Sequence, residues 1–167
     1  MRIAVTIIAL LFAFSGVATA QSYSDIPGAV ITSIYDADTF RADLPDCPAL
    51  FCKNVPIRVD GVDTPEPKGK GITVCEKRAG LRAKEFTTGL LRAARSITLA
   101  GPQRGKYFRV VAGVRLEVDG EALQRVGAAG QWAPGEIYEV DLSALLIENG
   151  HAYEYHGGKK EKFTCRE

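Results

Sequence analysis

The chain has 167 residues, of which 46% are hydrophobic and 25% charged. This is the length and balance of one globular domain with a core of its own, and it argues against a fibrous, low-complexity or multidomain protein. The formal net charge of +1 conceals a division along the chain, because residues 21–67 carry eight acidic and three basic side chains, whereas residues 68–109 carry eleven basic and two acidic ones. The pattern suits a cation site beside a surface for a polyanion, although a solvated basic helix face would produce it as well.

The first 20 residues are predicted to be a signal peptide, 1–20, that is not part of the fold. Arg2 precedes an uncharged apolar run over residues 3–14, and Ala18-Thr19-Ala20 has the small-x-small pattern of a cleavage site. A membrane anchor is the alternative, but the run is short for a helix that spans a bilayer. We therefore expect cleavage after Ala20, a periplasmic or secreted protein with no membrane segment in its mature form, and a domain over residues 21–167.

Five strands and a central helix are predicted in that domain. Alternation of apolar and polar residues between turn signals marks the strands at residues 29–35, 39–44, 55–62, 96–100 and 107–118. An apolar stripe at helical spacing marks a helix over residues 75–94, and Asp141 caps a shorter helix that ends at Gly150. Residues 121–136 fit neither pattern and are expected to be a surface insertion. This order predicts an α+β protein, mainly β: a five-stranded Greek-key barrel of the OB type with two or three helices.

Four cysteines are present in the predicted exported domain, and they are expected to form two disulfides because that compartment is oxidising: Cys47, Cys52, Cys75 and Cys165. Three pairings are open; the short spacing favours Cys47 with Cys52, which leaves Cys75 with Cys165. Free buried thiols are one alternative. A zinc site is another, but neither pair has tight ligand spacing and the chain has only two histidines.

Carboxylates occur where two of the predicted strands end. Asp36 and Asp38 lie in the first turn, and Asp63 and Glu66 follow the third strand. If the fold brings Asp38 and Asp63 together, their repulsion requires a counter-ion, and oxygen ligands in a flexible cage favour calcium. The commoner role of a single Asp at such a place is to cap its turn, so neither carboxylate alone predicts a metal site.

Two arginines add the cationic groups that phosphodiester hydrolysis needs. Arg58 lies in the third predicted strand, and Arg109 ends the segment Lys106-Tyr107-Phe108-Arg109. A guanidinium group offsets the charge that builds on the phosphorus through its bidentate fork, and a carboxylate such as Glu66 orients or deprotonates water. An ordinary surface salt bridge is the alternative role for Arg58.

Together these segments resemble the staphylococcal (micrococcal) nuclease family, also called thermonucleases. The resemblance covers about residues 29–155 and rests on the order Asp-x-Asp-Thr, Arg-x(4)-Asp-Thr-Pro-Glu, a helix, Lys-Tyr-x-Arg and a leucine-rich helix ending Gly-x-Ala. It implies a calcium-dependent nuclease that cuts DNA and RNA, prefers unpaired strands and leaves 3′-phosphate ends. Nothing in the sequence demands more than a monomer.

The resemblance also implies a role for each matched residue. Asp38 and Asp63 would bind calcium through their carboxylates and Thr64 through its backbone carbonyl, while Asp36 would hold water on the metal. Glu66 would be the general base or would position the attacking water. Arg58 would bind the phosphate and stabilise the transition state, and Arg109 would do the same and assist the leaving 5′-oxygen. Lys106 and Tyr107 would contact a neighbouring phosphate of the bound strand. Tyr155, or Tyr153 as the alternative, would be a platform on which a base stacks.

Three features depart from the family pattern. Ala37 occupies a position where glycine is usual. Because alanine does not adopt a positive φ cheaply, the geometry of this hairpin is expected to differ from that of the family. Phe108 replaces another usual glycine, beside Arg109, and is expected to narrow the groove or alter base preference. Residues 121–136 are longer than the corresponding family turn, and the cysteine pairs fit an exported subgroup.

Two other functions remain open. The same barrel would serve as a module that binds nucleic acid or a protein without cutting. An inactive relative is expected to lack at least one of five residues, all of which are present here: Arg58, Glu66, Arg109, Asp38 and Asp63. A binder of small molecules or cell-wall material is the remaining possibility, and the basic middle segment argues against it.

Overall fold

The structure is a computed structural model that describes residues 23–158, 160, 163 and 164. The predicted signal peptide and Cys165 lie outside the described residues. Within the described part, no helix has both the length and the apolar character needed to cross a bilayer.

A curled sheet forms the body of the molecule and accounts for seven of the strands in the described chain. These strands are β1 (Ile26–Pro27), β2 (Val30–Ile34), β3 (Thr39–Asp43), β4 (Val55–Val59), β6 (Ser96–Arg104), β7 (Val110–Asp119) and β8 (Ile137–Asp141). A separate two-stranded ladder contains β5 (Val62–Asp63) and β9 (Tyr153–Glu154). The helices of this part are α1 (Ala49–Cys52), α2 (Val74–Ala93), α3 (Gly120–Arg125) and α4 (Leu142–Glu148).

The order of the strands explains the curl of the sheet. β2, β3 and β4 are consecutive antiparallel neighbours, β4 lies parallel to β7, and β7 pairs with β6 and β8. β1 pairs with β6 at the other edge, and the N–H groups of Gly28 and Ala29 both donate to the carbonyl of Ile97, at 3.0 and 3.1 Å. Because β1 and β2 follow one another directly, one stretch of chain contacts both edges, and the sheet forms a half-barrel.

The core fills the concave side of this sheet. In β4 the buried residues Val55, Ile57 and Val59 alternate with two partly exposed ones, as expected for a strand with one face in the core. Helix α2 closes the half-barrel with a buried stripe that includes Phe86 and Leu90, and full burial of each such side chain contributes about 1.5–3 kcal/mol. The predicted mixed α+β class and the helix predicted at 75–94 are therefore confirmed.

The predicted strand 55–62 is two strands, β4 and β5, because Gly61 turns the chain with a φ of +78°. Residues 121–136 were expected to be a surface insertion, and most of them are exposed, but α3 buries Ala122 and Leu123 in the core. β8 directly after this segment had not been predicted, and neither had β1 or β9.

The strand predicted from Tyr107 begins only at Val110. Residues Lys106–Phe108 form a single 3-10 turn, in which Tyr107 and Phe108 have φ values of +59° and +56°. A left-handed backbone cannot continue a β-strand, so the hairpin between β6 and β7 ends in a turn that carries two aromatic side chains.

Cys47 and Cys52 form the predicted disulfide across the loop that contains α1, with their Cα atoms 5.9 Å apart. Cys75 is disulfide-bonded as well. Disulfides favour an oxidising compartment, in agreement with the predicted export.

Candidate active site

Arg58 joins the two carboxylates that the sequence predicted as metal ligands. Its Nη1 donates to Asp38 Oδ1 at 2.9 Å, and its Nη2 donates to Asp63 Oδ1 at 3.0 Å and to the carbonyl of Val62 at 3.2 Å. The side chains of Arg58, Asp38 and Asp63 are only 14%, 4% and 14% exposed. Because Arg58 pairs across the sheet with Thr39, the residue after Asp38, strand register places the guanidinium beside the aspartate turn.

The turn from Asp36 to Asp38 is anchored to the helix behind it. The hydroxyl of Thr87 in α2 donates to the carbonyl of Ala37 at 3.0 Å, and both residues are fully buried. Ala37 is not among the described residues with a positive φ. The alanine is therefore compatible with the turn, and a glycine there is not required.

Asp36 adds a third, buried carboxyl group to this cluster. It is 7% exposed, and its Oδ1 has no hydrogen-bond partner among the described residues. Burial, followed by the nearby charge of Asp38, raises the pKa of Asp36 to about 7. Thr39 partly offsets the negative charge of Asp38, because its Oγ1 donates a hydrogen bond to Asp38 Oδ1 at 2.7 Å.

Glu66 lies on the other side of Asp63, and Lys160 lies between them. The Nζ of Lys160 is 2.6 Å from Asp63 Oδ1 and 3.9 Å from Glu66 Oε1. Burial raises the pKa of Glu66, although the charge of Lys160 acts in the opposite direction. Sequence reasoning missed Lys160; the chain reaches this position because β9 pairs with β5, with Tyr153 opposite Asp63.

A glycine in α2 sets the position of the Glu66 loop. A Cβ at Gly80 would lie 2.5 Å from both the carbonyl oxygen of Pro65 and the nitrogen of Pro67. The helix backbone therefore packs directly on the loop backbone, with no side chain between them. Thr64, whose carbonyl was a predicted metal ligand, is buried in the same loop.

Arg109 lies on the same outer face of the sheet as Arg58. In the parallel pairing of β4 with β7, Arg58 is opposite Val111, and Arg109 precedes Val111 by two residues. Arg109 lines a groove of about 440 Å³ together with residues that include Tyr35, Thr39 and Tyr107. Its Nε is buried and has no hydrogen-bond partner in the described structure.

Among the described residues, no hydrogen bond or ion pair joins Arg109 to the carboxylates, and Thr39 connects the two. This residue lines the Arg109 groove while its hydroxyl binds Asp38. Of the predicted catalytic residues, Arg58 therefore contacts Asp38 and Asp63 directly, Glu66 is linked to Asp63 only through Lys160, and Arg109 lies on the adjoining groove.

The predicted substrate-binding residues are divided between two places. Tyr107 lines the Arg109 groove and Lys106 is exposed beside it. Tyr155 is half-buried, and its hydroxyl donates to the carbonyl of Gly158 at 3.0 Å. Tyr153, in contrast, lines a second groove of about 390 Å³ that also contacts Asp63, Thr64, Glu66 and Lys160. Between the two tyrosines, Tyr153 is thus the one that borders the carboxylate cluster.

The donor atoms of the cluster suit a hard cation, but the cluster is not a complete metal cage. Among the described residues, no group of three or more His, Cys, Asp or Glu side chains is arranged to hold a metal ion. Instead, Asp38 and Asp63 share the Arg58 guanidinium, and Asp36 Oδ1 is buried without a partner. Oxygen donors with one unsatisfied carboxylate oxygen fit calcium better than a soft metal.

Comparison with family models and with curated proteins supplies no relative for this chain. The function is therefore inferred from the side chains around Arg58 and Arg109 and from the motifs that contain them.

Proposed function

We propose that this chain is a calcium-dependent phosphodiesterase that hydrolyses DNA and RNA, prefers unpaired strands and leaves 3′-phosphate ends. The observation that carries the proposal is the contact of Arg58 with both Asp38 and Asp63, beside Glu66 and on the same sheet face as Arg109. We further propose that the protein acts as a monomer in the periplasm or outside the cell, after loss of residues 1–20.

The fold we propose for it is a five-stranded barrel of the OB type, as the resemblance to staphylococcal nuclease implies. The stretch from β1 to β2 would be its first strand, followed by β3, β4, β6 and β7. In support, that stretch contacts β3 at one edge and β6 at the other, and α2 lies between β4 and β6 in the chain. Such barrels commonly bind oligonucleotides across their strands.

Calcium would be held by the carboxylates of Asp38 and Asp63 and the carbonyl of Thr64, with Asp36 supporting its water. The unpartnered Oδ1 and raised pKa of Asp36 favour a cation here, because a positive charge would stabilise the ionised carboxylate. When bound, calcium would supply Lewis-acid polarisation of the phosphoryl oxygen.

The remaining chemistry belongs to the side chains of the protein. Glu66 would accept a proton from the attacking water, and its raised pKa makes it a stronger base than an ordinary carboxylate. The water oxygen forms a bond to phosphorus as the bond from phosphorus to the 5′-oxygen breaks. Arg58 and Arg109 would bind the phosphate, offset the charge of the transition state and, in the case of Arg109, assist the leaving oxygen.

An unpaired strand suits the groove because both aromatic and cationic side chains border it. Tyr35 and Tyr107 line the Arg109 groove, and Lys68 lies 4.3 Å above the ring of Tyr35. Bases stack on such rings whatever their sequence, while the basic groups follow the backbone.

A module that binds nucleic acid without cutting is the second candidate. It is favoured by the ion pairs of Asp63 with Arg58 and Lys160, because these cations neutralise the carboxylate without a metal. Such a module would have no need for the unpartnered Asp36 oxygen, and for this reason we prefer the enzyme.

Hydrolysis of single-stranded DNA by variants distinguishes these candidates. With calcium present, Arg58→Ala, Glu66→Gln and Arg109→Ala should each lower the rate roughly 100-fold or more, whereas Arg92→Ala, on an exposed part of α2, should not change it. An intact substrate with a retarded gel band for the unmodified chain would instead support the binding module. If the three site variants cleave at the rate of the unmodified chain, the assignment of the active site is wrong.

A further inference from the structure

The turn that closes the hairpin from β6 to β7 exposes two aromatic rings in an unfavourable backbone conformation. Tyr107 and Phe108 are 89% and 80% exposed, more than any other aromatic side chain in the described part of the chain. Both have left-handed φ values, a backbone conformation that is unfavourable for a bulky residue. Neither ring recovers this cost by burial in the core.

Phe108 is supported on one side only. The guanidinium carbon of Arg104 lies 5.0 Å from the centre of the Phe108 ring, and Arg104 is held by its pairing with Val110 across the hairpin. A guanidinium placed over a ring is an attractive contact that also orients the ring. The high exposure of Phe108 leaves the rest of its surface to solvent.

The place of Phe108 in the chain indicates which kind of ligand would pack on its ring. Phe108 lies between Tyr107 and Arg109, which both line the groove where the proposed function places the substrate phosphate. The Nε of Arg109 has no partner in the described structure. Phe108 is thus one residue along the chain from an arginine that is proposed to bind phosphate, and its ring is backed by the Arg104 guanidinium. This arrangement suits a planar aromatic group attached to a phosphate: an unpaired nucleobase.

We propose that Phe108, supported by Arg104, is a stacking platform for an unpaired nucleobase of the strand whose phosphate Arg109 binds. Phe108 would thus be a residue that determines specificity, selecting unpaired strands over duplexes in which the bases are already stacked. This inference rests on the proposed function, because it assumes that the groove takes a nucleic-acid strand. It adds a base subsite at the end of the hairpin.

Binding measured without hydrolysis tests this inference separately from the enzyme assignment. The probes are a fluorescein-labelled eight-residue oligothymidylate and an abasic oligonucleotide of the same length and charge. Both are titrated with the full chain in chelator, and anisotropy gives the dissociation constants. The variants are Phe108→Ala and Phe108→Gly, and the matched control is Phe51→Ala, which removes another exposed phenylalanine from the disulfide loop.

The unmodified chain should bind the thymidylate about fivefold or more tightly than the abasic strand, a preference that both Phe108 variants should largely lose and Phe51→Ala should keep. Phe108→Gly is the control for misfolding, because glycine adopts the left-handed turn without strain. The melting temperature of this variant should be no lower than that of the unmodified chain. If the Phe108 variants bind both probes equally more weakly, or keep the preference for the thymidylate, the base platform is wrong. Neither result would bear on the proposed hydrolysis. Binding of neither probe by the unmodified chain would refute it as well. Selective binding without calcium-dependent cleavage would sustain the platform and refute only the enzyme assignment.

Discussion

The hydroxyl of Thr87 in α2 donates a hydrogen bond to the carbonyl of Ala37, 3.0 Å away, between the two aspartates of the first turn. Both residues are fully buried, so no water replaces this bond. It is the point at which the helix fixes the turn that carries Asp36 and Asp38. The position of the carboxylates relative to Arg58 thus depends on a residue that is distant in sequence and has no chemical role.

Thr87→Val should destabilise the protein and displace the aspartate turn. The variant keeps the shape of the side chain but leaves the Ala37 carbonyl buried without a donor, which costs about 1–3 kcal/mol. Urea denaturation measures this loss, and hydrolysis assays should show a larger fall in kcat than rise in KM. Thr88→Val, at a half-buried neighbouring position, is the control and should change both quantities little. Equal effects of the two substitutions would mean that the bond to Ala37 does not position the site.

Gly80→Ala should displace the Glu66 loop. In an ordinary helix this substitution stabilises by up to about 1 kcal/mol, but here the new methyl group would lie 2.5 Å from backbone atoms of Pro65 and Pro67. Because the loop must move, we expect a fall in kcat/KM of roughly ten- to a hundredfold. Gly89→Ala on the same helix meets the side chain of Val126 instead, so it should affect stability without a comparable loss of activity. Full activity of Gly80→Ala would show that Glu66 does not need this packing.

Lys160→Met should increase the affinity for calcium. The Lys160 ammonium group lies 2.6 Å from Asp63 Oδ1 and must be displaced, or must repel the metal, when a cation binds there. Since a partly exposed ion pair contributes on the order of 1 kcal/mol, calorimetry should give a dissociation constant about three- to tenfold lower. Lys53→Met breaks a similar pair, with Asp43 at 2.7 Å, on another part of the surface and should leave calcium affinity unchanged. Weaker calcium binding by Lys160→Met would contradict competition between the two cations.

His151 should make the fold less stable in mild acid. Burial, and to a smaller extent the charge of Arg82, lowers the pKa of His151, whose ring lies 4.6 Å from that of Phe86. The unfolded chain therefore binds a proton before the folded one does, so this contribution to stability is present above the unfolded pKa of about 6.5 and is lost as pH falls through the lower pKa of the folded state.

Urea denaturation at pH 7.5 and 5.5 checks this sign. His151→Phe should lose less stability between the two pH values than the unmodified chain does. His156→Phe, at an exposed position, is the comparison variant. A larger loss for His151→Phe would mean that protonation of this histidine stabilises the fold.

The parts of the fold that local patterns predict are those in which one face is buried. The stripe in α2 and the alternation in β4 are of this kind, because burial alone decides which residues are apolar. β1 and β9 are two residues long, too short to show any period, and both depend on a distant partner strand. The left-handed turn at Tyr107 and Phe108 was also missed, since aromatic residues are poor indicators of positive φ.

The sequence predicted which residues belong to the candidate site, but not the contacts that position them. Asp38, Arg58 and Asp63 were identified from motifs, and the fold brings them into contact. Lys160 had no local signal, because its approach to Asp63 follows from the pairing of β9 with β5. Gly80 resembled an ordinary weak position in a helix, and its contact with the Glu66 loop is a property of tertiary packing. Contacts of this type require the folded structure.

The most direct test of the central claim is the rate at which the full, oxidised chain degrades single-stranded DNA in calcium and in an excess of chelator. The carboxylates around Arg58 should require the cation, so we expect rapid loss of substrate with calcium, 3′-phosphate product ends, and a rate at least 100-fold lower in chelator. The same slow rate in both conditions, or equally rapid cleavage in chelator, would contradict a calcium-dependent phosphodiesterase built on Asp38, Asp63 and Arg58.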